Sequence, residues 1–282
     1  MKIIDSHIHI YPEFLKKDRD KIAAHEPWFD ILSSSKVQKW GTAEELVSKM
    51  DESGVDMSVA TTFAFRDIGL CREMNDYVLE ASRKFPKRIV PLAVVPPTAK
   101  GAVREAERVL DAGAVGVGEL FPDGQSFSIA EAEPLRGLCE TVRERGKFIT
   151  FHTAEQAGHN YAGKGTCGAR EAAAFCRNFP LVRVIFAHFG GGLWAFYAMP
   201  EMRSMLANAM FDTAAMPWLY GAKVLDAMYA IGAGEKILYG SDWPILSFER
   251  YSKLLEKTKL SHEETEMLLH RNAEKFICGE TK

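Results

Sequence analysis

The chain has 282 residues, of which 47% are hydrophobic and 26% charged, and its formal net charge is −3. This is the composition of an ordinary globular protein with enough apolar residues for a sizeable core. It gives no broad electrostatic reason to bind nucleic acid or an anionic membrane.

The first stretch, Ile3-Ile4-Asp5-Ser6-His7-Ile8-His9-Ile10, has the β-branched composition and period-two alternation of a strand. In that register Ile4, Ile8 and Ile10 face one way and Asp5, His7 and His9 the other, so two imidazoles on one face can chelate one cation. Residues 11–41 read as an irregular segment. It is long for a connection inside a compact domain, but its aromatics (Tyr11, Phe14, Trp28, Phe29, Trp40) argue for an ordered lid or wall over one end of the fold. Thr42 and Glu45 form a capping box for a helix over Ala43–Ser53, closed by Gly54.

The pattern then repeats. Strands are expected at Val55–Phe63, Arg88–Val95, Ala114–Phe121, Lys147–His152, Val182–His188, Met210–Thr213 and Lys236–Ser241. Helices are expected near Leu70–Phe85, Ala99–Ala112, Ile129–Arg145, Ala169–Asn178, Leu193–Leu206 and Trp218–Ile231. More follow to the end, with Ser261 and Glu264 as a second capping box. Eight short apolar strands, each followed by a helix, predict a parallel α/β fold, and eight such units in this length suit a (β/α)8 TIM barrel. A doubly wound sheet is the alternative, but no G-x-G-x-x-G follows the first strand. No linker composition interrupts the chain, so one domain over residues 1–282 is expected.

Five cysteines (Cys71, Cys139, Cys167, Cys176, Cys278) form no C-x-x-C pair, which points to reduced thiols. The longest apolar runs fall short of the roughly 18–20 residues of a membrane span, and the N-terminus enters a strand directly; a soluble, cytoplasmic protein is expected.

A barrel gathers the C-terminal ends of its strands on one rim. Those ends carry His7 and His9 on strand one, Gly118-Glu119 on strand four and His152 on strand five. His188 ends strand six, and Gly240-Ser241-Asp242-Trp243-Pro244 ends strand eight. Val115, Val117 and Glu119 share a face in strict alternation. Four imidazoles with two carboxylates are the ligand set of zinc, the first expectation here, or of manganese, iron or nickel.

These residues carry a resemblance. Asp5-Ser6-His7-Ile8-His9, Phe151-His152, Ala187-His188-Phe189-Gly190-Gly191 and Gly240-Ser241-Asp242-Trp243-Pro244 together resemble the amidohydrolase-related family of metal-dependent TIM-barrel hydrolases. Arg271-Asn272-Ala273-Glu274-Lys275-Phe276 is similar to that family's closing helix, and the similarity runs from Ile3 to about Ile277. The resemblance implies that His7, His9, His152 and Asp242 hold a divalent metal, with His188 beside it or completing the coordination. No lysine closes a strand (Lys147 opens one), which argues against relatives with a carboxylated-lysine bridge. Gly118-Glu119 is similar to the strand-four ending of TatD-like nucleases, which implies a second ion through Glu119; the alternative is that Glu119 orients substrate or a histidine.

The reaction so implied is hydrolysis of an amide, lactone or other ester of a small molecule, with Asp242 as general base and His188 polarising the scissile bond. The alternative is non-oxidative decarboxylation, because Ala187-His188-Phe189-Gly190-Gly191 is also similar to carboxy-lyases of the aminocarboxymuconate semialdehyde decarboxylase type. Arg66 is then a candidate carboxylate anchor, against the plainer reading of a surface arginine. A barrel that binds without catalysis is a third class. Homodimers are common in the family.

Weaker signals remain. His159, in the loop from Gly158 to Gly165, reads as a substrate contact or as part of a solvated loop. Gly190-Gly191-Gly192 suits an anion cradle or a sharp turn beside His188. Phe63, Phe65, Phe121, Trp194 and Trp243 are pocket walls or core. His25, His262 and His270 lie off the strand ends.

Overall fold

In the computed structural model, which describes residues 1–279, eight strands form one parallel sheet in the order β1 to β8. They are β1 (Ile4–His9), β2 (Met57–Thr61), β3 (Ile89–Ala93), β4 (Gly116–Leu120), β5 (Phe148–Phe151), β6 (Arg183–Phe186), β7 (Ala209–Asp212) and β8 (Ile237–Leu238). Each neighbour in sequence is a neighbour in space, as right-handed βα crossovers produce. The sheet curls back on itself: Ser6 N–H donates to Tyr239 O at 2.8 Å, His9 N–H donates to Trp243 O at 2.7 Å, and Ile8 bridges Trp243 in parallel. This is the expected barrel.

Two apolar layers divide the strand side chains. Ile4, Val59, Leu92, Phe148, Ile185, Met210 and Leu238 fill the barrel interior, and Ala273 and Ile277 of the C-terminal segment pack on the same cluster. The outward cluster includes Ile8, Ala60, Val117, Ile149 and Phe186 with helix residues such as Leu46, Leu138 and Phe175. Burying one such side chain stabilises by roughly 1.5–3 kcal/mol, so both layers fix the strand faces firmly.

Strict alternation fails in two strands. Pairing of β1 with β2 slips between Asp5 and Ile8. Ile4 lies in the interior cluster, whereas Ile8 and Ile10 lie in the outer one. Asp5 therefore points outward, beside Leu46, Met50 and Ser58, and does not share a face with His7 and His9. In β4 the pairing slips between Val117 and Leu120, with a cis peptide at Gly118–Glu119. Val117 packs outside, so Glu119 does not share its face; the slip is what turns the carboxylate inward. A β-bulge re-aims side chains in just this way.

Other departures are local. Residues 11–41 are not irregular but hold three short helices, Glu13–Lys17, Arg19–Ala23 and Pro27–Ser33. Buried Glu26 ties this segment down by accepting N–H bonds from Arg66 (3.2 Å) and Asp67 (2.8 Å) at the start of the helix Ile68–Lys84. The helix expected at Leu193–Leu206 is a 3-10 turn, Leu193–Ala198, then a helix, Pro200–Met205, because Pro200 can open a helix but not continue one. That expected at Trp218–Ile231 is likewise split, into Met216–Leu219 and Lys223–Ala230. No helix of the described residues is long and apolar enough to cross a membrane.

Candidate metal centre

The sequence-derived residues His7, His9, Glu119, His152, His188 and Asp242 meet at the C-terminal mouth of the barrel. His7 Nε2 lies 3.1 Å from His9 Nε2, and His188 Nε2 lies 3.2 Å from His152 Nδ1. Glu119 sits between the pairs: Oε1 is 3.0 Å from His152 Nδ1 and 3.3 Å from His188 Nε2, and Oε2 is 3.5 Å from His7 Nε2. Asp242 Oδ1 is 3.6 Å from His9 Nε2. Two sets of three result, His7–His9–Asp242 and Glu119–His152–His188, each with its donor atoms within 4.8 Å of one another.

The backbone explains the convergence. His188 does not end β6 as a strand residue. It opens five consecutive residues with positive φ, from His188 (55°) to Gly192 (95°), which fold the chain sharply over the barrel mouth. The triglycine serves this turn. A Cβ on Gly191 would stand 2.5 Å from Ala154 O, and its φ of 57° suits glycine as well. Asp242 also has positive φ (65°), and its N–H donates to His7 O at 2.9 Å, which joins the carboxylate that follows strand eight to strand one. Gly118 lets β5 pass closely: a Cβ there would lie 2.5 Å from Thr150 O.

Each imidazole is held from behind. His7 Nδ1–H donates to Asp212 Oδ2 (2.8 Å), and His9 Nδ1–H to Thr62 O (3.3 Å). His152 Nε2–H donates to Lys164 O (3.3 Å), and His188 Nδ1–H to Ala214 O (3.1 Å). Carbonyl oxygens only accept, so in the neutral rings these bonds place the single proton on the outer nitrogen. Four lone pairs and two carboxylates then face one another with no proton among them. Such a donor set, with all four rings neutral, suits a cation. Two nitrogens about 2.1 Å from one ion stand roughly 3.0–3.4 Å apart, which the 3.1 Å pair satisfies. The residues fit a divalent metal.

Without a metal, protons take its part. Burial opposes a charge on His7, but Asp212 and Glu119 outweigh it and hold its pKa well above the ordinary value. Burial likewise opposes His188, and Glu119 pushes it up to about 9. Burial would raise Glu119, yet His7 and His152 hold it well below the carboxylate range. Burial and the neighbouring His7 lower His9.

Comparison with known proteins places this geometry. The amidohydrolase family model matches residues 4–277. The chain belongs to the amidohydrolase family. No curated protein matches the amidohydrolase chain, but solved structures share its fold. A 5-carboxyvanillate decarboxylase from Novosphingobium aromaticivorans, complexed with manganese and a nitrobenzoic acid, has a TM-score of 0.77 at 15% identity, over 98% of this chain and 96% of that one. A 2,6-dihydroxybenzoate decarboxylase from Rhizobium has 0.72 at 17%, over 100% of both. A probable 2-pyrone-4,6-dicarboxylic acid hydrolase from Acinetobacter baumannii has 0.68 at 16%, over 99% and 100%. At these identities the likeness shows the fold, and hydrolysis is not singled out over decarboxylation.

Above the donors of this amidohydrolase lies a cavity of about 470 Å³. Tyr11, Phe63, Phe121, Trp218, Leu219 and Tyr161 are among its walls, and the segment 11–41 contributes Leu32, Val37 and Gln38, as a lid would. His159 lines it; Arg66 does not, and its side chain reaches only toward His25 O at 3.5 Å. Trp194, Trp243 and Phe65 are not in its lining, and Phe65 is core. Among the described residues no lysine or arginine lines the cavity.

Asp212 went unread in the sequence. It ends β7 fully buried. It closes one of the three strands, β2, β3 and β7, that bring no donor to the mouth, and no local motif marks it.

Proposed function

We propose that this amidohydrolase is a metal-dependent decarboxylase of a small aromatic monocarboxylic acid. The observation that carries the reading is the cavity: a floor suited to a cation under aromatic and aliphatic walls that offer no lysine or arginine. An acid with one carboxylate has a single place to put it, against the floor, and its ring meets Phe63, Phe121 and Trp218. Two of the three fold neighbours described above act on aromatic acids, and one is bound to manganese; manganese therefore stands beside zinc as the ion.

His7, His9 and Asp242 form one donor set, and His152, which the family resemblance adds to them as a fourth ligand, stands in the other with Glu119 and His188; a metal would be held at the meeting of the two. A divalent ion there supplies Lewis-acid polarisation of a substrate oxygen and lowers the pKa of water to about 7. As the carbon–carboxylate bond breaks, its electron pair stays on the ring carbon. His188, protonated on both nitrogens because, against burial, Glu119 holds its pKa up to about 9 and steadied through Nδ1–H on Ala214 O, would give its Nε2 proton to that carbon and be left neutral.

A second reading rests on the Glu119–His152–His188 set. If that set takes a second ion, His188 loses its free Nε2 and proton delivery with it. Hydrolysis of an ester or lactone then follows, with Asp242 as base. The test is product analysis on manganese- or zinc-loaded protein with hydroxybenzoates and their methyl esters. Release of carbon dioxide from the acids supports decarboxylation. Ester cleavage with no carbon dioxide overturns it in favour of the second reading.

A further inference from the structure

Asp212 makes three hydrogen bonds from a fully buried position, and none of them is to a group of its own strand. Oδ2 accepts from His7 Nδ1–H at 2.8 Å. Oδ1 accepts from the backbone N–H of His188 at 2.9 Å and of Ala214 at 3.0 Å. A carboxylate removed from water costs several kcal/mol unless its lone pairs are satisfied, so a side chain kept here is specified by those three donors. The first belongs to a ligand on β1. The second opens the left-handed turn that carries the ligand after β6. The third lies next to it in space, since Ala214 O anchors the His188 ring.

We infer that Asp212 is the positioning residue of the metal centre: it fixes the tautomer that leaves His7 Nε2 free for the ion and pins the His188 turn in the same step. Asp212 stands in neither donor set and contributes no ligand atom. Its effect passes through the two histidines. His9, His152 and His188 hang on backbone carbonyls, which can only accept, so their tautomers are set by the fold itself. His7 alone of the four depends on a side chain. Replacing that side chain by one that donates reverses the ring. In Asp212→Asn the amide oxygen can keep the bonds from His188 and Ala214, while the amide N–H₂ faces His7 Nδ1. His7 Nδ1 must then accept, and its proton moves to Nε2, where it points at His9 and Glu119 and blocks coordination.

The inference rests on the metal reading above, and its test separates the two. Long-range proton–nitrogen spectra of metal-free protein, at a pH where the ring is neutral, report which nitrogen of His7 carries hydrogen. The wild type is expected to show Nδ1–H and Asp212→Asn Nε2–H. Competition titration should then show zinc binding weakened about 10- to 100-fold in Asp212→Asn, as for other partners behind metal-bound histidines. A merely structural role would not move the tautomer. A wild-type His7 protonated on Nε2 overturns the inference without any variant. So does an Asp212→Asn protein that binds zinc as tightly as the wild type. A wild type that takes up no metal, with His7 still protonated on Nδ1, overturns the metal reading and leaves the tautomer assignment standing.

Discussion

His7 shows most directly how this chain turns residues into a site. It stands within 4 Å of His9, Glu119 and Asp242 and is held from behind by Asp212. On the proposed metal reading His7→Ala deletes a ligand, and metal affinity should fall at least about 100-fold by competition titration, with the barrel still folded. Protonation competes with the same ion. Because Asp212 and Glu119 hold His7 well above its ordinary value against burial, an ion must displace that proton, and metal affinity should rise with pH. Stability of the metal-free protein should move the other way. A raised folded-state pKa, as at His188, contributes fully below the unfolded value near 6.5 and is lost as pH rises through about 9. Thermal melts with and without zinc across that window check both signs.

The cysteines give a separate residue-scale prediction. Burial pushes the Cys139 and Cys176 thiols up to about 12, and raises Cys71 and Cys167 as well, whereas Cys278 is exposed. A thiol reagent near neutral pH should label about one cysteine in the folded protein and about five after denaturation. Labelling of several in the native state would contradict the buried, reduced arrangement. At this scale the histidines were legible because His-x-His in β1, and His152 and His188 just past the apolar strands β5 and β6, are unusual in such settings. Asp212 was not, because a single acid after Phe211 has no pattern of its own; its meaning lies in three donors from β1 and the segments after β6 and β7.

Among the elements, β1 and β4 turn His7, His9 and Glu119 into the mouth by slipping register, and period-two reading missed both slips. The local sequence carries little sign of them: Ser6 is the residue about which β1 changes face, and Gly118 marks β4. Gly118 is required there because Thr150 of β5 leaves no room for a Cβ. Gly118→Ala should displace Glu119 and lower stability by about 1–3 kcal/mol, with weakened metal binding as the more sensitive readout. The lid segment is anchored differently, through Glu26 on the N–H groups of Arg66 and Asp67. Glu26→Ala leaves those donors without a partner, and denaturant melts should show a loss of about 1–3 kcal/mol. Aromatics and the length of residues 11–41 announced a lid or wall over one end of the fold, and Leu32, Val37 and Gln38 line the cavity there. The segment's short helices were obscured because each spans seven residues or fewer, too short for a helical period to emerge.

Across the whole molecule, the alternation of eight apolar strands with helices was legible because the strands are largely buried and the longer helices set buried apolar residues against charged ones. The barrel then does for function what no single element can: it brings residues 7 and 242, at opposite ends of the chain, to one rim. The same closure makes the account testable by metal analysis. Elemental analysis of protein purified without chelator, alongside His7→Ala, bears on the central claim that converging lone pairs at the barrel mouth hold a divalent ion. The account predicts about one to two equivalents of a divalent metal in the wild type and a clear loss in the variant. A folded wild type that carries no metal and takes up neither zinc nor manganese would contradict it.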